Sequence, residues 1–129
     1  MGVPPPHRAL AGVFVLVVDD NVDAREILRS TLTYLGAVVA TAASAPAALS
    51  ILGQIQPGVV VCDVNLGARD AFWLVRQVRT LQAAAPPFIA ISAQDYDEDE
   101  LRGAGFVSFL RKPIQHETLI REVLRASML

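Results

Sequence analysis

Three carboxylates stand at the ends of two apolar runs: Asp19 and Asp20 close Val13-Phe-Val-Leu-Val-Val18, and Asp63 closes Val59-Val-Val-Cys62. Brought together, they would repel one another unless a cation sat among them. Magnesium suits such a place, because it takes hard oxygen ligands, few protein carboxylates and several retained waters. Two further segments end in groups with a use beside such an ion. Phe88-Ile-Ala-Ile91 delivers the hydroxyl of Ser92, and Phe106-Val-Ser-Phe-Leu110 delivers Lys112 just before Pro113. An ammonium and a hydroxyl suit the oxygens of a phosphoryl group, and a carboxylate can act as a nucleophile. The set therefore describes phosphoryl transfer to aspartate.

Each part has a plainer reading when taken singly. An Asp-Asp pair after a strand commonly caps a helix, a Lys-Pro is usually a turn, and Ser92 alone would be a strand-end hydroxyl. The acidic stretch Asp95-Tyr-Asp-Glu-Asp-Glu100 reads as a solvated helix start favoured by the helix dipole. The order of the parts along the chain carries the argument.

The elements that must position these groups follow from the pattern. Uniformly apolar, β-branched runs fit strands of a parallel sheet covered on both faces, where ligands gather beyond the carboxyl ends. Between them, Asn21 or Asp23 can cap a helix with Ala24, Ile27, Leu28, Leu32 and Leu35 at helical spacing, ended by Gly36. Ala37 to Thr41 reads as a second strand, and Ser44 caps a helix to about Leu52 with Pro46 in its first turn. A third helix spans about Asp70 to Gln82 with Phe72, Leu74, Val75, Val78 and Leu81 apolar. A short one ends near Gly103 to Gly105, and a last one runs from about Gln115 to Ser127. Such alternation predicts an α/β fold, a doubly wound five-stranded parallel sheet with helices on both faces.

Composition limits the alternatives. A chain of 129 residues suits one domain with a proper core. The apolar share is 53%, yet no apolar run approaches the ~18 residues of a membrane span. Ala9 to Val18 lacks a cleavage site after it and has Pro4-Pro-Pro6 before it, which argues against a signal peptide and for a cytoplasmic protein. A net charge of −2 with no Lys/Arg-rich stripe predicts no direct nucleic-acid contact. Cys62 is the one cysteine and reads as a core thiol. Residues 1–12 carry no apolar periodicity and read as a disordered leader, with the domain over 13–129.

From Val13 to about Leu124 the sequence resembles the receiver domain of bacterial two-component response regulators. Leu16-Val-Val-Asp-Asp20, Val61-Cys-Asp-Val-Asn-Leu66, Ile91-Ser-Ala93 and Phe109-Leu-Arg-Lys-Pro113 carry the resemblance, in the family's order. It implies a flavodoxin-like fold and a phosphoryl group accepted on Asp63 from a histidine kinase or phosphotransfer protein. It implies Mg2+ held by Asp20, Asp63 and the Asn65 carbonyl, with Asp19 holding a metal-bound water. Ser92 and Lys112 would contact the phosphoryl oxygens, and Phe109 would stand at the switch aromatic's place. Asn65 and Gln94 would look over the attacking water's path and set the phosphoryl lifetime. The face of the fourth helix, fifth strand and fifth helix would then change its hold on a downstream protein, and the resemblance also admits a homodimer. Departures are Leu66-Gly67 where the family has an apolar residue and proline, Asp70-Ala71 for Asp-Gly, and the missing hydroxyl of Phe109.

With no output domain after Leu129, the signal is expected to leave by protein contact, and Met1 favours a stand-alone regulator over a receiver cut from a hybrid histidine kinase. A degenerate, binding-only receiver ranks lower, because Asp19, Asp20, Asp63, Ser92 and Lys112 are all present. A haloacid-dehalogenase-like phosphohydrolase ranks lower still. Such enzymes place a second Asp two residues after the nucleophile as general acid, and Asn65 cannot donate a titrating proton.

Overall fold

The computed structural model describes residues 6–82 and 84–129. Five parallel strands form one sheet in the order β2-β1-β3-β4-β5: β1 Phe14–Val18, β2 Val38–Ala42, β3 Val59–Asp63, β4 Phe88–Ser92 and β5 Phe106–Arg111. The helices between and after them are α1 Val22–Tyr34, α2 Ala45–Leu52, α3 Ala71–Leu81, α4 Glu98–Ala104 and α5 His116–Ser127. The expected doubly wound architecture is present.

Alternation along each strand divides the core in two. Leu16, Val18, Val60, Cys62, Phe88 and Ala90 face α2, α3 and α4, while Val15, Val17, Val59, Val61, Ile89 and Ile91 face α1 and α5. Every residue of β3 and β4 is buried, which is why both read as unbroken apolar runs. β5 needs a further device. Phe106 and Phe109 pack in the same half of the core although their spacing is odd. A register shift between Phe88 and Ile89 pairs Phe106 with Phe88 and Phe109 with Ala90, so one extra residue of β5 restores the parity.

The helix starts follow the capping rules. Asn21, not Asp23, caps α1 by accepting from Ala24 N at 2.8 Å. Ser44 caps α2, Asp70 caps α3 by accepting from Trp73 N at 2.9 Å, and Asp97 caps α4. β2 lies one residue later than expected.

Three sequence expectations need correction. Residues 6–12 are not a disordered leader. Pro6–Arg8 form a 3-10 turn, Leu10 is fully buried, and its N–H donates to the Leu35 carbonyl at 2.7 Å. The folded unit therefore begins before Val13, and only the part of the leader over residues 1–5 lies outside the described residues. Ile27 and Leu81, both at core spacing in the sequence, are each 67% exposed, because the buried stripes of α1 and α3 are narrower than their apolar stripes.

Candidate functional site

The sequence-marked side chains meet at the carboxyl-terminal edge of the sheet. Asp19 follows β1, Asp63 ends β3, Ser92 ends β4 and Lys112 follows β5. The backbone locks the edge together: Val64 N donates to the Ile91 carbonyl at 2.9 Å and Lys112 N to the Ser92 carbonyl at 2.8 Å. The Lys112-Pro113 peptide is cis.

Lys112 is the centre of the arrangement. Its ammonium donates to Asp63 Oδ2 at 2.8 Å and to Asp19 Oδ2 at 3.2 Å. The other carboxylate oxygens are held by their own loops, Asp19 Oδ1 by Asn21 N at 3.0 Å and Asp63 Oδ1 by Asn65 N at 2.9 Å. Asp19 and Asp63 are buried, so one ammonium between them offsets charges that water no longer screens. Burial pulls the Lys112 pKa down, but the hydrogen bond that its ammonium donates to Asp63 and the charges of Asp63 and Asp19 outweigh it, leaving the group above an ordinary lysine. Lys112 therefore stays charged at neutral pH. Behind Asp63, burial and the neighbouring carboxylates push the Cys62 thiol well up, so it stays protonated, as the sequence predicts for a core thiol.

Asp20 behaves differently from its neighbours. It is exposed, and its Oδ2 lies 4.0 Å from where a Cβ on Gly67 would stand, so it leans across the loop after β3. Among the described residues no group of three or more His, Cys, Asp or Glu side chains is arranged to hold a metal. The expected cluster of three carboxylates is thus replaced by two on one ammonium and a third at the rim. The donor chemistry still fits a hard divalent ion: the exposed Asp20 carboxylate, the Asp63 carboxylate and the Asn65 carbonyl, with waters for the rest.

Ser92 is almost fully buried, and its Oγ accepts from Gln94 N at 2.9 Å, which leaves its O–H to donate elsewhere. Gln94 and Asn65 are exposed at the mouth, and Phe109 is half-buried beside the first core half. Three residues were not marked by sequence reasoning. Arg25 donates to the Asp19 carbonyl at 2.9 Å, and Arg111 donates to the Ala93 carbonyl at 2.8 Å while pairing with Asp95. Tyr96 touches both Asn65 and Phe109. No periodicity marks a loop tyrosine in an acidic stretch, and the two arginines act on backbone carbonyls that a motif does not reveal.

This edge places a carboxylate, a cation and a hydroxyl at the ends of neighbouring strands, a set suited to taking up and holding a phosphoryl group. Known proteins resemble the chain over most of its length. The model of the response regulator receiver domain matches residues 15–124. An uncharacterized 14.6 kDa protein in the sodA1 3' region of Leptolyngbya boryana is 39% identical over 119 residues, covering 90% of this chain and 91% of that protein. The transcriptional regulatory protein AfsQ1 of Streptomyces coelicolor is 34% identical over 116 residues, covering 86% of this chain and 51% of AfsQ1. The chain thus spans about half the length of that relative. Among solved structures, the chemotaxis protein CheY4 of Vibrio cholerae superposes with a TM-score of 0.81 at 29% identity, covering 90% of this chain and 99% of that one.

Proposed function

Because the chain belongs to the response regulator receiver family, we propose that it is a phosphorylation-operated switch of a two-component pathway, working in the cytoplasm between a histidine kinase or phosphotransfer protein and a downstream protein partner. The observation that carries this reading is the Lys112 ammonium held at 2.8 Å from Asp63 and 3.2 Å from Asp19. It pre-orients the acceptor carboxylate and waits where a transferred group would put its negative charge.

In the transfer, a carboxylate oxygen of Asp63 attacks phosphorus while the bond from phosphorus to the donor breaks, leaving an acyl phosphate on Asp63. Lys112 moves its contact from Asp63 Oδ2 to a phosphoryl oxygen and keeps Asp19 as its second partner. Asp20, Asp63 and the Asn65 carbonyl would hold Mg2+, and Asp19 would orient a water beside them. When bound, the ion supplies positive charge against the phosphoryl oxygens. The Ser92 hydroxyl then moves to donate to a phosphoryl oxygen, Phe109 follows toward the space it vacates, and the face of α4, β5 and α5 shifts its population toward a second arrangement. Asn65 and Gln94 border the path of the water that later removes the phosphoryl group.

The phosphohydrolase reading is weakened by Asn65, whose amide has no proton to give a leaving group. The binding-only reading is weakened by the intact Asp63, Lys112 and Ser92 set. The test is amide NMR with Mg2+ and beryllofluoride, which stands in for the phosphoryl group. Shifts are expected at Ser92, Phe109 and along α5. Changes confined to Asp19, Asp20, Asp63 and Asn65 would overturn the switch, and steady turnover of generic phosphoesters would promote the hydrolase.

A further inference from the structure

Tyr96 lies in the loop joining β4 to α4, and its hydroxyl donates to Asn65 Oδ1 at 3.2 Å, a residue 31 positions earlier. Its ring meets Phe109 edge-on, with centroids 6.3 Å apart and planes at 83°, and lies 6.4 Å from the ring of Phe72. Edge-to-face pairs of this kind hold a ring in one orientation. The same loop is anchored on its other side by Arg111, which donates to the Ala93 carbonyl at 2.8 Å and pairs with Asp95. Asn65, for its part, gives its N–H to Asp63 Oδ1 at 2.9 Å. A continuous path of contacts thus runs from the acceptor carboxylate through Asn65 and Tyr96 to Phe109. Phe109 has no hydroxyl of its own, so Tyr96 supplies the one that this aromatic group turns toward the site.

We infer that Tyr96 is a positioning residue that restrains the Asn65 amide beside Asp63, slows loss of the phosphoryl group and ties that restraint to Phe109. The inference rests on the proposed acceptance of a phosphoryl group by Asp63. In that loss, a water oxygen attacks phosphorus, the bond from phosphorus to the Asp63 oxygen breaks, inorganic phosphate leaves and the released proton goes to phosphate or solvent. An amide orients such a water by accepting its hydrogen through the carbonyl oxygen. Asn65 Oδ1 is already engaged by Tyr96 and drawn toward the β4–α4 loop, so it is less free to serve the water. The Tyr96 hydroxyl is therefore a brake that acts through Asn65.

The Tyr96→Phe variant keeps the ring contacts and removes only the hydroxyl. In the unphosphorylated full chain, its Asn65 side-chain amide resonances should move from their wild-type positions. An unmoved Asn65 amide would overturn the restraint. After labelling with acetyl phosphate, decay of the acyl phosphate should be about threefold faster in Tyr96→Phe, in keeping with the net worth of one hydrogen bond. In an Asn65→Ala background, Tyr96→Phe should change nothing further. Wild-type decay in Tyr96→Phe, or the same acceleration with Asn65 absent, would overturn the inference while leaving the proposed function standing. A wild-type chain that takes no phosphoryl group would remove both.

Discussion

Replacing Leu10 with alanine tests whether the segment before β1 is part of the folded unit. Leu10 is fully buried among Leu35, Ala37 and the face of the sheet that α1 and α5 cover, and its N–H donates to the Leu35 carbonyl at 2.7 Å. Truncation of a buried leucine loses its transfer free energy and leaves a cavity, together about 2–5 kcal/mol. Leu10 sits on a short strap that can close in, so the cost should fall near the lower end, about 2–3 kcal/mol. With an unfolding entropy of ~2.1 cal/mol/K per residue, a chain of 129 residues loses about 4 °C of Tm per kcal/mol. The expected fall is therefore about 7–11 °C in a thermal scan followed by circular dichroism. His7→Ala, at an exposed position of the same strap, should stay within the ~0.5 kcal/mol of an ordinary surface change, or about 2 °C. A fall of under about 2 °C for Leu10→Ala would refute the packing argument and restore a loose leader.

Two further changes probe other contacts. Gly36 has φ +101°, and a Cβ there would lie 3.0 Å from the His7 carbonyl oxygen and 3.1 Å from Ala11 N, so Gly36→Ala should destabilise by about 1–3 kcal/mol. An unchanged urea midpoint would contradict that fit. Ser108 donates to Glu122 Oε1 at 2.8 Å, and that bond, opposed by partial burial and aided by Arg121 and Arg125, holds the Glu122 carboxyl below its usual range. A lowered carboxyl stabilises the fold above the unfolded glutamate pKa of about 4.3, and the effect is lost as pH falls through the folded value. The Tm gap between wild type and Ser108→Ala should therefore narrow below about pH 4. A gap that holds at about pH 3 would show that the carboxylate charge is not involved.

Much of the site was legible because buried parallel strands leave a strong trace. β1, β3, β4 and β5 read as apolar runs, and their polar ends named Asp19, Asp63, Ser92 and Lys112. The pairing among those groups was not legible. Whether Lys112 sits on Asp63 and Asp19, or the three acidic residues sit together, depends on side-chain placement across 93 and 49 residues of chain, about which local pattern says nothing. The strap was missed for a related reason. A single leucine in a proline-rich segment has no period, and its burial depends on the shape of the α1 terminus at Leu35 and Gly36. Ile27 shows the converse, since helical spacing identifies a face but not how wide a stripe the sheet can cover.

The central claim is that Asp63 is a phosphoacceptor poised by Lys112, and intact-mass analysis after incubation with acetyl phosphate addresses it most directly. With Mg2+, the wild-type chain should gain one phosphoryl unit, while chelation of the metal or the Asp63→Asn substitution should abolish the gain. No added mass on the wild-type chain, or full modification of Asp63→Asn, would contradict the account.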